Sequence, residues 1–305
     1  MSADTSALDS AVSDVATQVS DPVQERRIRA TRRRHRIGVV LRYTLLTVLA
    51  GIVLFPVYMT VVNSLLPADV IVARPPTLWP EVREWNHYAT AWTDGHLGLY
   101  LRTSIIVTAI ITVGQVATSI LAAYAFTFLD FPFRRTIFVV FLATLMVPFE
   151  VTIITNFQTI SDLNWLNSYQ GLAVPFLATG FGAFLLRQSF LTLPRSLEEA
   201  ARLDGYGHWR FLARVVVPLS RPAIGALAVF SFLLAWNQYL WPLLIADDEQ
   251  YRTVQVGLKQ LSQSNLAEFP ITFAGTILAA LPLLILLLVF SKQLVRGLTA
   301  GAVKG

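Results

Sequence analysis

A chain of 305 residues in which 54% are hydrophobic and only 14% charged, with a mean hydropathy of +0.57, is not an ordinary soluble domain and is expected to lie in a membrane. Twenty-four Lys and Arg against 19 Asp and Glu give a net charge of +5, and the absence of Cys excludes disulfides and thiolate metal sites. The four histidines (His35, His87, His96 and His208) stand apart from the apolar runs with no ligand pair at helical spacing, so no metal site is expected.

Residues 1–25 carry five acids and no base, and residues 26–36 carry seven arginines. Such a charge-segregated stretch builds no core, and residues 1–36 are expected to be a disordered, cytoplasmic basic tail. The first apolar run, 39–65, is too long for the core of a cleaved signal peptide and reads as an anchor, with Arg42 snorkelling to the headgroups. Five further runs follow, at about 103–129, 136–157, 170–190, 222–245 and 271–295, each long enough to cross a bilayer at about 20 residues per crossing. The expected fold is therefore an all-α integral membrane protein of six transmembrane helices over 37–296, followed by a short tail over 297–305. Nineteen of the 24 basic residues fall in the N-terminal tail, the second and fourth loops and the C-terminal tail, which places those segments and both termini in the cytoplasm. The same asymmetry explains the basic balance without nucleic acid.

Between the first two runs, the external segment carries Pro75, Pro76, Pro80, Trp79, Trp85, Tyr88 and Trp92, which suits an interfacial cap and would equally serve an external partner. The external stretch 246–270 is expected to include a short helix. Inside the runs, most polar residues are Ser and Thr, which bond to their own helix backbone. Glu150 is different: it follows Pro148 in the third run, about 10 Å from the outer end at the helical rise, where an ionised acid costs on the order of 3 kcal/mol unless it meets a wet cavity or a partner. A structural, neutralised Glu150 and a Glu150 on a translocation path are both open. In the fifth run, Trp236, Asn237, Gln238 and Tyr239 adjoin Trp241 and Pro242. The amides can bond a polyol or glue helices together, and Trp241 fits an interfacial belt. Gln115 in the second run is a further candidate for the path.

Between the fourth and fifth runs lies a polar hairpin, 194–218. Ser196 and Glu199 have the S-x-x-E spacing of a capping box that starts a helix at Leu197. Gly205 turns the chain, and a second amphipathic segment from Gly207 carries Arg210 and Arg214 until Pro218 ends it. A polar helix-turn-helix lodged between apolar spans suggests a docking element. No Gly-Lys pair exists, so no phosphate-binding loop does either, and H-E-x-x-H, G-x-S-x-G and paired intramembrane acids are absent. An intramembrane enzyme is the poorer reading, and any ATP must be hydrolysed by another chain.

Glu199-Ala200-Ala201, three residues, Gly205, nine residues, then Val215, Val217 and Pro218 resembles the signature loop of ATP-binding cassette importer permeases. From about residue 39 the chain resembles the smaller six-span permease of the carbohydrate-uptake, maltose-type class. Leu145 to Val151, Leu166 to Tyr169 and Trp236 to Pro242 resemble its glycerol-3-phosphate and glycerophosphodiester branch. The resemblance implies a bacterial inner-membrane importer with a second, different permease, a cytoplasmic ATPase dimer and an external solute-binding protein or lipoprotein, set among membrane lipids. It implies that Glu199, Ala200, Ala201, Arg202, Asp204, Gly205 and Pro218 couple the chain to the ATPase. ATP and Mg would be bound there, with no cofactor on this chain. A carboxylate at Glu150 would repel a bare phosphate but attract a quaternary ammonium, with Trp236 and Tyr239 adding cation-to-ring attraction. Glycerophosphocholine is thus preferred to sn-glycerol-3-phosphate, and a maltose- or trehalose-type sugar is the alternative.

Overall fold

The computed structural model describes residues 22–262 and 268–299, with side chains placed over 38–262 and 268–290. The expectations for residues 1–21 and for the final residues 300–305 lie outside the described residues. Among the described residues every regular element is helical. The chain divides into two units, Met1–Met59 and Thr60–Gly305.

The first unit holds most of α1 (Pro22–Asn63), which contains the apolar span Gly38–Asn63. Residues 22–36, expected to be disordered, are instead the opening turns of this helix. Gln, Glu, Ala and Arg are good helix formers, and extending a helix that the apolar span already nucleates fixes only one more residue per hydrogen bond.

In the second unit, α2 (Ala68–Ile71) and α3 (Asn86–Thr93) lead into α4 (Leu97–Phe128), a single uninterrupted span. There follow α5 (Arg134–Ala143), α6 (Phe149–Asp162), α7 (Tyr169–Ala173) and α8 (Gly180–Leu191). Next come α9 (Arg195–Leu203), α10 (His208–Phe211), α11 (Val217–Leu219) and α12 (Arg221–Trp236). The chain closes with α13 (Leu240–Ile245), α14 (Val254–Leu261) and α15 (Phe269–Thr299). The short external helix expected within 246–270 is α14. Helix α4 is central: α8 and α12 pack along it, α12 also packs on α15, and α14 bridges α4 and α15.

Among the described residues three helices are long and apolar enough to cross a membrane unaided, and up to six crossings result if each of three bent pairs counts as one. Prolines lie at several of the breaks between helices. Helices α5 and α6 meet at 95° across Pro148, the residue that precedes α6. The run expected at 222–245 stops at Trp236 and resumes at Leu240, because the Pro242 ring obstructs the carbonyl four residues back, at Gln238. The fourth crossing bends by 47° between Phe176 and Gly180.

Lipid gives apolar helices little reason to leave it, so their association rests on close contact. Glycines supply it at three places. A Cβ on Gly114 would strike Leu177, one on Gly182 would strike Ser119, and one on Gly257 would strike the Tyr100 ring. Three packing clusters result. One gathers Val107, Ile111, Ile160, Leu172, Trp241 and Ile245; a second Leu97, Tyr100, Trp236, Val254 and Ala279; and the third Tyr124, Leu186, Phe190, Ala201, Phe211, Val216 and Leu227.

Candidate functional site

The third cluster carries the polar hairpin. Pro194, with φ −60° and ψ 133°, sets the chain so that α9 starts at Arg195, and no side chain caps it. The capping box expected of Ser196 and Glu199 therefore does not form: a helix that begins two residues sooner puts Ser196 inside its first turn, away from the capping position. The i,i+4 pair that supports α9 is Glu198 with Arg202, at 2.6 Å.

The end of α9 is closed by backbone bonds alone. Gly205 has φ +74°, its N–H donates to the Arg202 carbonyl at 3.0 Å, and the Tyr206 N–H donates to the Ala201 carbonyl at 2.8 Å. This is a Schellman closure, which requires a left-handed residue at Gly205. Ala201 is buried, while Glu199, Ala200, Arg202, Asp204 and Gly205 are exposed. Two residues missed in the sequence flank the turn: Leu203 is 89% exposed and Trp209 74% exposed. The available signal was the helical register, which puts Leu203 off the face that carries Leu197 and Ala201. Past α10 the helix widens into a π segment over Leu212–Val216 before α11, and the chain bends by 80° at Ser220. Pro218 therefore does not end an α-helix directly. The wide turn relieves the clash its ring would make with the Arg214 carbonyl, and α11 ends one residue later.

The hairpin's inner face is fastened to α4. The Tyr124 hydroxyl, on a ring only 6% exposed, lies 2.9 Å from His208 Nδ1. Around it, ring centroids lie 5.2 Å apart for Tyr124 and Phe128, 6.4 Å for Tyr124 and Phe211, and 5.3 Å, edge to face, for Phe128 and Phe211. Arg210 lies over the Tyr206 ring at 4.3 Å. Two clefts flank this joint. One, of about 280 Å³, is lined by Asp130, Arg134, Arg195, Glu198, Glu199 and Arg202 among others; the second, of about 250 Å³, by Tyr124, Ala201, Tyr206 and His208 among others.

The opposite end of α4 is fastened as firmly. Tyr100 donates to Glu249 Oε1 at 2.8 Å, His96 pairs with the same oxygen at 2.7 Å, Thr103 donates to the Gln250 carbonyl, and the Val254 N–H donates to Ser104 Oγ. The Tyr100 hydrogen bond, with help from His96 and Arg252, holds the Glu249 carboxyl below its ordinary range.

The six candidate path residues stand in different surroundings. Trp236 is 3% exposed and stacks on Phe232 at 5.6 Å, within the packing of Leu97 and Tyr100. Gln115 Nε2 donates to the Phe176 carbonyl at 2.8 Å, at the bend of the fourth crossing. Asn237 is exposed and donates to its own helix at the Leu233 carbonyl. Gln238 Oε1 is buried without a hydrogen-bond partner, and Tyr239 is 37% exposed. Glu150 lies exposed in the first turn of α6, where the helix N-terminus favours a carboxylate. Trp241, expected in an interfacial belt, is 2% exposed. Its Nε1 donates to the Gly171 carbonyl at 3.0 Å, and its ring packs against Phe149 and Phe176. A buried acceptor that needs a donor explains its placement.

The family model of the binding-protein-dependent transport system inner membrane component matches residues 114–300. The sn-glycerol-3-phosphate transport system permease protein UgpE of Yersinia pestis bv. Antiqua (strain Antiqua) is 38% identical over 255 residues, covering 81% of this chain and 91% of that protein. UgpE of Salmonella typhi is 35% identical over 267 residues, covering 85% and 95%. Among solved structures, a bacterial ATP-binding cassette transporter involved in import of the acidic polysaccharide alginate has a chain of the same fold, with a TM-score of 0.77, 23% identity and coverage of 85% of this chain and 97% of that one.

Proposed function

Since this chain belongs to the binding-protein-dependent transport system inner membrane component family, and is thus an inner-membrane permease subunit of an ATP-driven importer, we propose how it couples and what it carries. The hairpin Arg195 to Pro218 is the cytoplasmic docking element for a separate ATPase dimer. Glu199, Ala200, Arg202, Asp204 and Gly205 lie on its outward side. Ala201 seats it on the permease, and Pro218 shapes its exit. The observation that carries this reading is the pair Leu203 and Trp209, large apolar side chains left 89% and 74% exposed at the tip of an otherwise polar element. Exposed aromatic and aliphatic anchors of this kind are what a partner's pocket buries. Both termini lie on the same, cytoplasmic side, as the basic-residue asymmetry supports.

The chain itself binds no cofactor. ATP and its magnesium belong to the partner, a second and different permease completes the pore, and an external binding protein delivers the solute. Binding energy at the ATPase then selects between outward- and inward-open states through a rigid connection, with no chemistry in this chain. Helix α4, fastened to the hairpin by Tyr124 and to the external segment by Tyr100, Thr103 and Ser104, is that connection.

The solute is sn-glycerol-3-phosphate or a glycerophosphodiester such as glycerophosphocholine. Relatives at 35–38% identity support the glycerol phosphate class. Glu150, Asn237, Gln238 and Tyr239 are assigned to the path. Trp236 and Gln115 are reassigned to packing, because Trp236 is 3% exposed within a packed cluster and Gln115 ties its helix to the Phe176 carbonyl of the fourth crossing, whereas Asn237 bonds only within its own helix and stays exposed. The test is ATP hydrolysis by the reconstituted complex with its binding protein, comparing glycerophosphocholine, sn-glycerol-3-phosphate, maltose and trehalose. Stimulation by a glycerol phosphate supports the assignment, and stimulation by a disaccharide alone overturns it. Glycerophosphocholine uptake unchanged by Glu150→Gln removes that residue from the path. Uptake that survives both Gly205→Pro and Glu199→Lys refutes the docking assignment.

A further inference from the structure

The arginine-rich beginning of α1 plays no part in the coupling or path readings. Helix α1 runs unbroken for 42 residues, about 63 Å at the helical rise and about twice the hydrocarbon thickness of a bilayer. Its apolar span Gly38–Asn63, 26 residues long, fills the membrane by itself. The helix is continuous through Gly38, so the residues before it stay on the span's axis and are carried straight out of the hydrocarbon. Arg36 lies two residues before Gly38, and Arg32, Arg33 and Arg34 lie within six, all inside about 9 Å of the boundary. That depth is the headgroup layer and its edge, about one Debye length at physiological salt. Arg26, Arg27 and Arg29 fall beyond it.

Register decides the partner. At about 100° per residue, positions 32, 33, 34 and 36 cover an arc of about 200°, and Arg42 falls in the remaining sector, so the five do not form one stripe. A protein groove or a nucleic-acid backbone is met by one face of a helix. A headgroup layer surrounds it. Between Pro22 and Arg42 the one acidic residue is Glu25, at the far end from Arg32, Arg33, Arg34 and Arg36. Arg42, exposed one turn inside the span, reaches back toward the same layer by its long stem. Guanidinium groups take phosphate in a two-pronged hydrogen bond.

We propose that Arg32, Arg33, Arg34, Arg36 and Arg42 form a collar on α1 that binds the phosphate headgroups of anionic phospholipids. The collar is independent of solute and of ATPase docking, and the test measures neither. The full complex is equilibrated in mixed micelles with equimolar phosphatidylglycerol and phosphatidylcholine, passed over a sizing column, and its retained lipid counted by mass spectrometry. The wild type is expected to retain phosphatidylglycerol severalfold over phosphatidylcholine. The quadruple change Arg32→Gln, Arg33→Gln, Arg34→Gln, Arg36→Gln is expected to bring the ratio close to one, while Arg26→Gln, Arg27→Gln, Arg29→Gln leaves it unchanged. Because loss of charge also disturbs insertion, a quadruple Arg→Lys variant keeps the charge and removes the two-pronged bond. It is expected to hold phosphatidylglycerol at low salt and release it at lower ionic strength than the wild type. Equal retention by the wild type and both quadruple variants overturns the proposal. So does a wild type that retains no excess phosphatidylglycerol and carries RNA in its place.

Discussion

Replacing Tyr124 by Phe removes one oxygen from the joint between α4 and the hairpin and leaves its rings in place. The hydroxyl lies 2.9 Å from His208 Nδ1, and His208 is exposed, so water takes over its side of the bond when the phenol is gone. The loss is thus that of an ordinary hydrogen bond, about 1 kcal/mol, and not that of a stranded buried group. The ring contacts with Phe128 and Phe211, at 5.2 and 6.4 Å, survive the change, so the melting temperature is expected to move little. About 1 kcal/mol in the balance between a fastened and a loosened hairpin is roughly a fivefold shift in their ratio. In proteoliposomes with the ATPase and binding protein, the loosened fraction, read as hydrolysis in the absence of solute, is expected to rise about fivefold, with solute carried per ATP falling. Tyr124→Ala, which removes the ring as well, is expected to cost about 3 to 5 kcal/mol and to lower the yield of folded complex. A Tyr124→Phe complex that transports as much solute per ATP as the wild type refutes the claim that this bond transmits the hairpin's motion.

Leu203→Ala combined with Trp209→Ala is expected to leave the melting temperature of the isolated permease unchanged, since both side chains are already exposed, and to weaken ATPase capture at least tenfold in a pull-down titration. Trp241→Phe keeps the ring packing but leaves the buried Gly171 carbonyl without its donor, at a cost of about 1 to 3 kcal/mol, seen as a lower thermal midpoint in detergent. Glu249 has a folded-state pKa held below its ordinary 4.5, so it binds protons less readily folded than unfolded. Its contribution to stability is complete above that ordinary value and is lost as pH falls through the depressed one. Thermal unfolding followed downward from neutral pH is expected to show this loss only below pH 4.5, and Glu249→Gln is expected to flatten that part of the curve.

The features legible in the chain alone were those set by neighbours in sequence. Apolar runs of about 20 residues declare their burial in lipid whatever packs beside them, and the turn at Gly205 follows from a glycine placed just past a helix-forming stretch. Even the failed capping box at Ser196 was a local contest, lost because Pro194 two residues earlier fixes the chain first. Tertiary structure decided everything that needed a partner distant in sequence. The Tyr124 to His208 bond joins residues 84 positions apart, and the Trp241 to Gly171 bond joins residues 70 apart. Trp236 and Trp241, five positions apart beside the same break, enter different packing clusters. A side chain's identity states what it can bond, but only the folded chain brings a donor to an acceptor. For that reason the hairpin's spacing was readable in sequence, while what fastens it to α4 was not.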